Sequence, residues 1–473
     1  MTTPLWTSEE ILNATGGTCS GNFAAHSVGI DTRTLAKGGL FVALQGEKVD
    51  GHAYVAQAIA NGAAAALVSR LVEGVPKAQQ ILVHDTEEAL QQLGIAARAR
   101  STAKFIGITG SVGKTGCKEM VKAALTVCGR THGTEGNYNN HLGVPITLCN
   151  LPRDTEYAVM EMGMNHAGEI RRMTHWVKPH VSIITTVDAV HIEFFESVEG
   201  IADAKSEIFE GMGGKGIGLL NMDNPYFAQC RARAEAQGLD RILSFGTGAE
   251  AVCRMVQYRI EDVYSVVDAS IAGTEMQYRI GTIGKHWALM SVAVLGIVDA
   301  LGADIAKAAS ALQYFTEPKG RGQIRKLAVK GGHLRLIDDC YNASPVSMAG
   351  AFEKVASLRD ASPEPCRTVV VLGDMLELGE HARDMHIGLI PSLINNQMDL
   401  VFAAGSFMQQ MYEQLPEAMR GAYALSSREL APQVVSSLRH RDLVLVKGSH
   451  GSHMEVVVSA IEDQARLLDV GDA

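Results

Sequence analysis

The run Gly107-Ile-Thr-Gly-Ser-Val-Gly-Lys-Thr115 has the residue types and order that grip a phosphate. Glycines let backbone N–H groups face phosphate oxygens, and a helix starting just after them adds the positive end of its dipole. Lys114 would reach the β- and γ-phosphates, and the Thr115 hydroxyl would join a Mg²⁺ shell. The strict form of this loop has Gly five positions before Gly113. Ile108 stands there, so this is the shorter G-x-x-G-K-T form. A chance glycine turn is the bland alternative, and the strand–turn–helix context argues against it.

Three further residues could do chemistry. Glu161 ends YAVMEM (157–162), at the strand edge where open α/β sheets gather ligands. Taken alone, it could equally cap the next helix. His191 follows VSIITTVDAV at the equivalent edge of the next strand; a lone His is more often structural, and HIEFFE is not the HExxH of a zinc protease. Lys205 lies in IADAKSEIFEG with Glu207 and Glu210, and spacing alone reads it as a solvated Lys in a charged helix face. GGKGIG (213–218) precedes a strand instead of following one, so it is read as a turn and a nicotinamide cofactor is rejected. No Ser/His/Asp or Cys/His constellation stands out.

The surrounding pattern must position these groups. Residues 1–101 hold two short apolar runs, LFVAL (40–44) and AAALVS (64–69), with a small-residue helix between them and an Ala-rich helix over 86–100. From Lys104, strands KFIGIT, YAVMEM, VSIITTV and GIGLLNMD alternate with helix-length stretches, which predicts a mainly parallel sheet. The stretch 250–285 is rich in Val, Tyr and Thr and reads as antiparallel strands. Alternation restarts after TEPKGRGQ (316–323) with HLRLID, RTVVVLGD, DLVFAAG and LVLVKGS, a second open α/β unit. The expected division is 1–101, 102–317 and 318–473, an α/β protein of three domains.

Composition bounds the function classes. The chain has 473 residues, 47% hydrophobic and 20% charged, ordinary for a protein with sizeable cores. A net charge of −10 argues against a general nucleic-acid or membrane-surface binder. Eight Cys are scattered without CxxC or zinc spacing, which fits a reducing compartment. The N-terminus does not read as a signal peptide, and no run approaches the roughly 18 apolar residues of a membrane span. A cytoplasmic, multidomain, soluble protein is expected.

Together these pieces resemble the Mur ligase family, ATP-dependent ligases that extend the peptide of cytoplasmic peptidoglycan precursors. The resemblance covers essentially the whole chain. Family-wide elements are ITGSVGKT (108–115), EGNYNNHLGVP (135–145), EMGMNHAGEI (161–170), VHIEFFESVEGIADAKSEIFEG (190–211) and PKGRGQ (318–323). Those marking one branch are IDTRTLAKGGLFVALQGEKVDGH (30–52), IDDCYNASPVSM (337–348), VLGDMLELGE (371–380) and LVKGS (445–449). No DNPR occurs, the usual mark of the branch that adds diaminopimelate or lysine to a dipeptide precursor. Addition of D-alanyl-D-alanine to a UDP-N-acetylmuramoyl-tripeptide is therefore expected. A folylpolyglutamate synthetase shares the architecture but lacks this UDP-sugar pattern. A nucleotide-binding regulatory module that hydrolyses nothing is argued against by Lys114, Glu161, His191 and Lys205.

The resemblance implies a part for each matching residue. Gly110, Ser111, Val112 and Gly113 would cradle phosphates, with Lys114 and Thr115 on phosphates and Mg²⁺ and with Asn139 and Asn140 facing phosphates or metal. Glu161 would ligate one Mg²⁺ and His191 a second. Lys205 would carry a CO₂-derived carbamate that helps hold the second ion. Arg321 and Asp339 would close over the phosphates and ribose, with Tyr341 and Asn342 beside them and His286 also facing the nucleotide. Thr32, Arg33, Gln45, Asp50 and His52 would receive the UDP-sugar. Lys114, Glu161, His191, Lys205 and Arg321 form the expected catalytic set, in a monomer acting on small molecules. Four departures stand out: Gly116 replaces a second hydroxyl residue, Trp287 and Met290 replace two Asn, Ser344 replaces Asn, and His450 replaces Arg.

Overall fold

Three sheets account for the alternation, in a computed structural model that describes residues 4–46, 48–261 and 264–471. The first is four-stranded and parallel, Val28–Gly29, Leu40–Val42, Ala65–Val68 and Gln80–Leu82. Helix Thr86–Arg100 leaves it, started by Asp85, whose carboxylate accepts the N–H groups of Glu87 and Glu88. This helix lays Gly94 against Pro145, where an added Cβ would come within 3.2 Å of the proline Cα. Trp6 Nε1 donates to the Cys149 carbonyl at 2.9 Å, and Asn150 exchanges two hydrogen bonds with the Val28 backbone. Arg98 donates to the carbonyls of Val177 and Lys178 and lies 4.1 Å over the Phe105 ring. The first sheet is thus fastened to the second by packing and by satisfied backbone groups.

The second sheet has nine strands. Its seven parallel strands run, in spatial order, Thr131–Gly133, Tyr157–Glu161, Lys104–Thr109, Val181–Ile184, Ile217–Asn221, Arg241–Gly246 and Cys253–Glu261, the last also opening the meander. An antiparallel meander, Cys253–Glu261, Tyr264–Ile271 and Thr274–Ile280, extends one edge, as the Val/Tyr/Thr content predicts. Strand Lys104–Thr109 is buried over five of its six residues, so both faces are covered by helices and its apolar run is continuous. The third sheet pairs Gln323–Val329 antiparallel with Gly332–Asp339, then continues in parallel through Leu443–Lys447, Thr368–Gly373, Leu400–Ala404 and Arg420–Ala424.

Two elements differ from expectation. The strand expected over 181–187 ends at Ile184, and Thr185 and Thr186 turn toward the phosphate loop. The helix expected through 211 ends at Ser206 and tightens into a 3₁₀ turn, Glu207–Phe209. There the Glu207 carboxylate accepts the N–H groups of Gly168 and Arg171, capping the neighbouring helix Glu169–Val177. Among the described residues, no helix is long and apolar enough to cross a membrane.

Candidate active site

The phosphate loop sits where strand Lys104–Thr109 gives way to helix Lys114–Thr126. Gly110 and Gly113 have φ of 150° and 87°, a region that disfavours side chains. Gly110 is needed for space as well, since a Cβ there would meet Thr185 Oγ1 at 1.9 Å. Thr185 donates to the Val112 carbonyl at 2.6 Å, and the Ser111 N–H donates to the Thr186 carbonyl at 2.8 Å, which fixes the loop to the adjacent strand end. Lys114 folds back and donates to the Gly110 and Ser111 carbonyls at 2.7 and 3.3 Å. Burial and the nearby Arg321 lower its pKa, while Glu161 opposes that shift.

At the end of the adjacent strand Tyr157–Glu161, Glu161 is 1% exposed. Its Oε1 accepts from Thr115 Oγ1 at 3.0 Å and Asn139 Nδ2 at 2.8 Å. Its Oε2 is buried without a hydrogen-bond partner, 3.8 Å from the buried Lys118 ammonium. An unmatched carboxylate oxygen at a phosphate loop is a ready ligand for a hard cation. No three His, Cys, Asp or Glu side chains converge as a metal cage among the described residues. A cation here would therefore lean on phosphate oxygens and water, the usual arrangement for Mg²⁺.

Lys205 contradicts its spacing-based reading. It is 1% exposed instead of solvated, and no hydrogen bond or ion pair reaches its amine among the described residues. Burial first, and the Lys114 charge second, push its pKa well below the ordinary lysine value. Glu207, its sequence neighbour, is occupied with the helix cap, and Glu210 pairs with Arg171.

The other wall comes from the third sheet, and the space between is a cavity of about 570 Å³. The guanidinium of Arg321 lies 4.0 Å over the Tyr341 ring. Asp339 pairs with Lys447 at 2.7 Å, and Lys447 also donates to the Asn342 carbonyl. His286 lines the cavity with its side chain exposed to it. Its pKa is lowered, first by desolvation and then by the ammoniums of Lys354 and Lys447. His191 has a left-handed backbone, φ 62°, and its Nδ1 faces the carboxylate of Glu377, which also has φ 62°.

The cavity thus gathers Ser111 to Thr115, Asn139, Glu161, His191, His286, Arg321, Asp339, Tyr341 and Asn342. Gly110 belongs to the loop but does not line the cavity. Asn140 accepts the N–H groups of Leu142 and Gly143 and so caps the next helix instead of lining the cavity. Thr32, Arg33, Gln45, Asp50 and His52 lie outside it, in the first sheet's loops. Arg33 is exposed and paired with Asp31 at 2.6 Å, and the Thr32 carbonyl accepts weakly from Asn61 at 3.5 Å. Gln45 bridges Asp50 through the backbone. Asp50 accepts from His52 and Arg70, and the buried His52 also accepts the Ser69 N–H at 3.0 Å. Both ring nitrogens of His52 are therefore engaged.

Known proteins match along almost the whole length. The Mur ligase middle domain matches residues 108–298, the Mur ligase glutamate ligase domain 320–450, and the Mur ligase family catalytic domain 24–100. The UDP-N-acetylmuramoyl-tripeptide--D-alanyl-D-alanine ligase of Rickettsia prowazekii is 34% identical, covering 96% of this chain and 99% of the relative. That of Bacillus subtilis is 34% identical, with 92% of each covered. A crystal structure of MurF from Acinetobacter baumannii superposes with a TM-score of 0.84 at 29% identity, covering 97% and 99% of the two chains. The chain belongs to the Mur ligase family.

In this Mur ligase the cavity also holds residues that the sequence did not assign to the site: Asn137, Asn165, Asn221 and Lys354. Asn165 stands inside a motif quoted for the family; Lys354 and Asn221 have no local signal, because strands and helices far apart in sequence bring them in. Two of the departures explain one another. The Trp287 ring lies on Gly116, where a Cβ would come within 2.5 Å of the indole Cη2. A hydroxyl residue at 116 and an indole at 287 exclude each other. Gly116→Thr should therefore destabilise the protein by about 1–3 kcal/mol in thermal or urea unfolding. In a Trp287→Leu background the same change should cost less than about 0.5 kcal/mol. Equal losses in both backgrounds would show that the ring is not the obstacle. Ser344 is likewise accounted for, since it caps helix Pro345–Asp360 with Pro345 at the first position.

Proposed function

We propose that this Mur ligase joins D-alanyl-D-alanine to the terminal carboxylate of a UDP-N-acetylmuramoyl-tripeptide at the expense of ATP, in peptidoglycan-precursor synthesis. The observation that carries the reading is the cavity between the second and third sheets, with the phosphate loop and Glu161 on one wall and Arg321, Asp339 and Lys447 on the other. The names of the relatives matched over nine-tenths of the chain support the substrate pair.

A carboxylate oxygen is a poor leaving group. In the proposed path it attacks the γ-phosphorus of ATP, ADP departs, and an acyl phosphate forms. The amine of D-alanyl-D-alanine then attacks the carbonyl carbon, losing a proton, and inorganic phosphate leaves the tetrahedral intermediate. Such transfer asks the protein for positioning and charge neutralisation. Lys114 and the N-terminus of its helix would take the β- and γ-phosphates, and Arg321 would cover them from the third sheet. Thr115 and Glu161 would hold one Mg²⁺, with His191 and carbamylated Lys205 on a second; the unmatched Glu161 oxygen and the unpartnered Lys205 amine fit that use. Bound there, the metal would neutralise charge on the phosphate oxygens. Asn139 orients Glu161, and His286, Asp339, Tyr341 and Asn342 would surround the nucleoside.

The assignment by segment is 1–101 for the UDP-sugar, 102–317 for ATP and 318–473 for the dipeptide, within a cytoplasmic monomer. Arg33, paired with Asp31, is an exposed cation of the first segment's candidate loop, while His52 shapes that loop. Phosphate release tests the reading. It should require ATP, the UDP-linked tripeptide and D-alanyl-D-alanine together. Equal turnover with a single free amino acid as acceptor would overturn the substrate assignment.

A further inference from the structure

Arg321 rides on a turn whose backbone is tied at each step. Its N–H donates to the Pro318 carbonyl, with Gly320 at φ 73° in the position where such a turn needs a left-handed residue. The Gly320 carbonyl accepts from the Tyr341 N–H, and the Gly322 N–H donates to the Asp338 carbonyl. Beneath the turn lies the Lys354 ammonium, 4% exposed. It donates to Gly322 O at 2.7 Å and to Glu317 Oε1 at 3.0 Å, one residue beyond each end of the 318–321 turn. Glu317, 8% exposed, also accepts from Thr282, at the end of the second sheet's edge strand. One buried ion pair therefore links the second sheet, the connecting segment and the first helix of the third-sheet unit.

We infer that Lys354 is a positioning residue for the reaction, acting through the 317–322 segment to hold the Arg321 guanidinium over the cavity. Stability is a poor reason for such a pair, because apolar side chains of similar volume are often as good or better in a buried site. Placement is a better one, because the Lys354 ammonium ties both ends of the segment that bears Arg321, and both partners are more than nine-tenths buried. The inference rests on the proposed contact between Arg321 and the ATP phosphates.

A double-mutant cycle on the full-length enzyme tests it, with phosphate release as the readout and thermal unfolding as a check on folding. Arg321→Lys should lower kcat/KM for ATP by about tenfold or more, because a single ammonium replaces a planar fork. Lys354→Met should lower it by about tenfold in the wild-type background and by less than twofold in the Arg321→Lys background. Should Lys354→Met fail to fold, Glu317→Gln/Lys354→Met, which leaves no buried charge, takes its place in the cycle. Equal losses in the two backgrounds would overturn the inference and leave the Arg321 reading standing. Wild-type kinetics for Arg321→Lys would overturn both.

Discussion

Lys205→Ala should lose nearly all ligase turnover and recover part of it when acetate is supplied. The amine is buried, without a partner among the described residues, and held toward its neutral form by desolvation and by Lys114. A neutral amine can attack CO₂; an N–C bond forms, one C=O π bond becomes a carboxylate oxygen, the amine proton leaves, and a neutral group beside Lys114 becomes an anion that attracts it. The product is an anionic oxygen ligand suited to Mg²⁺. The sign of the pH effect follows. With its pKa lowered, the amine stays free below the usual lysine range, and the carbamylated fraction should fall as pH drops through that lowered value. Loss of the ligand should cost several kcal/mol of transition-state stabilisation, on the order of a thousandfold in rate. NMR of enzyme prepared in ¹³C-bicarbonate should show a carbamate carbon absent from the variant. A fully active enzyme without that signal, or a variant acetate cannot restore, would leave Lys205 a buried cation with no part in the chemistry.

Lys114→Ala should abolish turnover while leaving the melting temperature nearly unchanged. The ammonium is half-buried and spends its hydrogen bonds on two carbonyls of its own loop. Glu161 attracts it and Arg321 crowds it with like charge, so deletion relieves one repulsion as it removes one attraction and those bonds. A bound nucleotide changes the balance, because the same ammonium would then face phosphate oxygens whose charge grows in the transition state. A loss on the order of a thousandfold in kcat/KM is expected, comparable to removing one preorganised donor from a reacting oxygen. Near-normal turnover would remove the loop from the mechanism. A large fall in melting temperature would show that the residue is structural.

Much of the site was legible because its signals are local. The phosphate loop is nine consecutive residues between a strand and a helix, and Glu161 closes a strand whose apolar run marks it as central. Lys205 was misread from spacing, because helical periodicity does not tell which face is buried. The deciding fact is that Glu207 turns away to cap a helix some 38 residues earlier. Asn139 and Asn140 are equivalent in sequence, and only the course of the backbone sends one to Glu161 and the other to a helix cap. Gly116 and Trp287 each looked like a loss when read singly. They are one change, visible only when two helices are brought together.

The fastening of the first sheet to the second has a consequence for what the enzyme can measure. Among the described residues, Trp6, Asn150, Arg98 and the Gly94–Pro145 contact tie the first sheet to the second, and so the loops at its edge to the phosphate loop. On the proposed assignment, a substrate gripped by its nucleotide end must present its far carboxylate at a set distance from Lys114. The two sheets then act as a ruler. A peptide one residue too short would stop before the phosphate, and one residue too long would overshoot it, with no reading of side chains required.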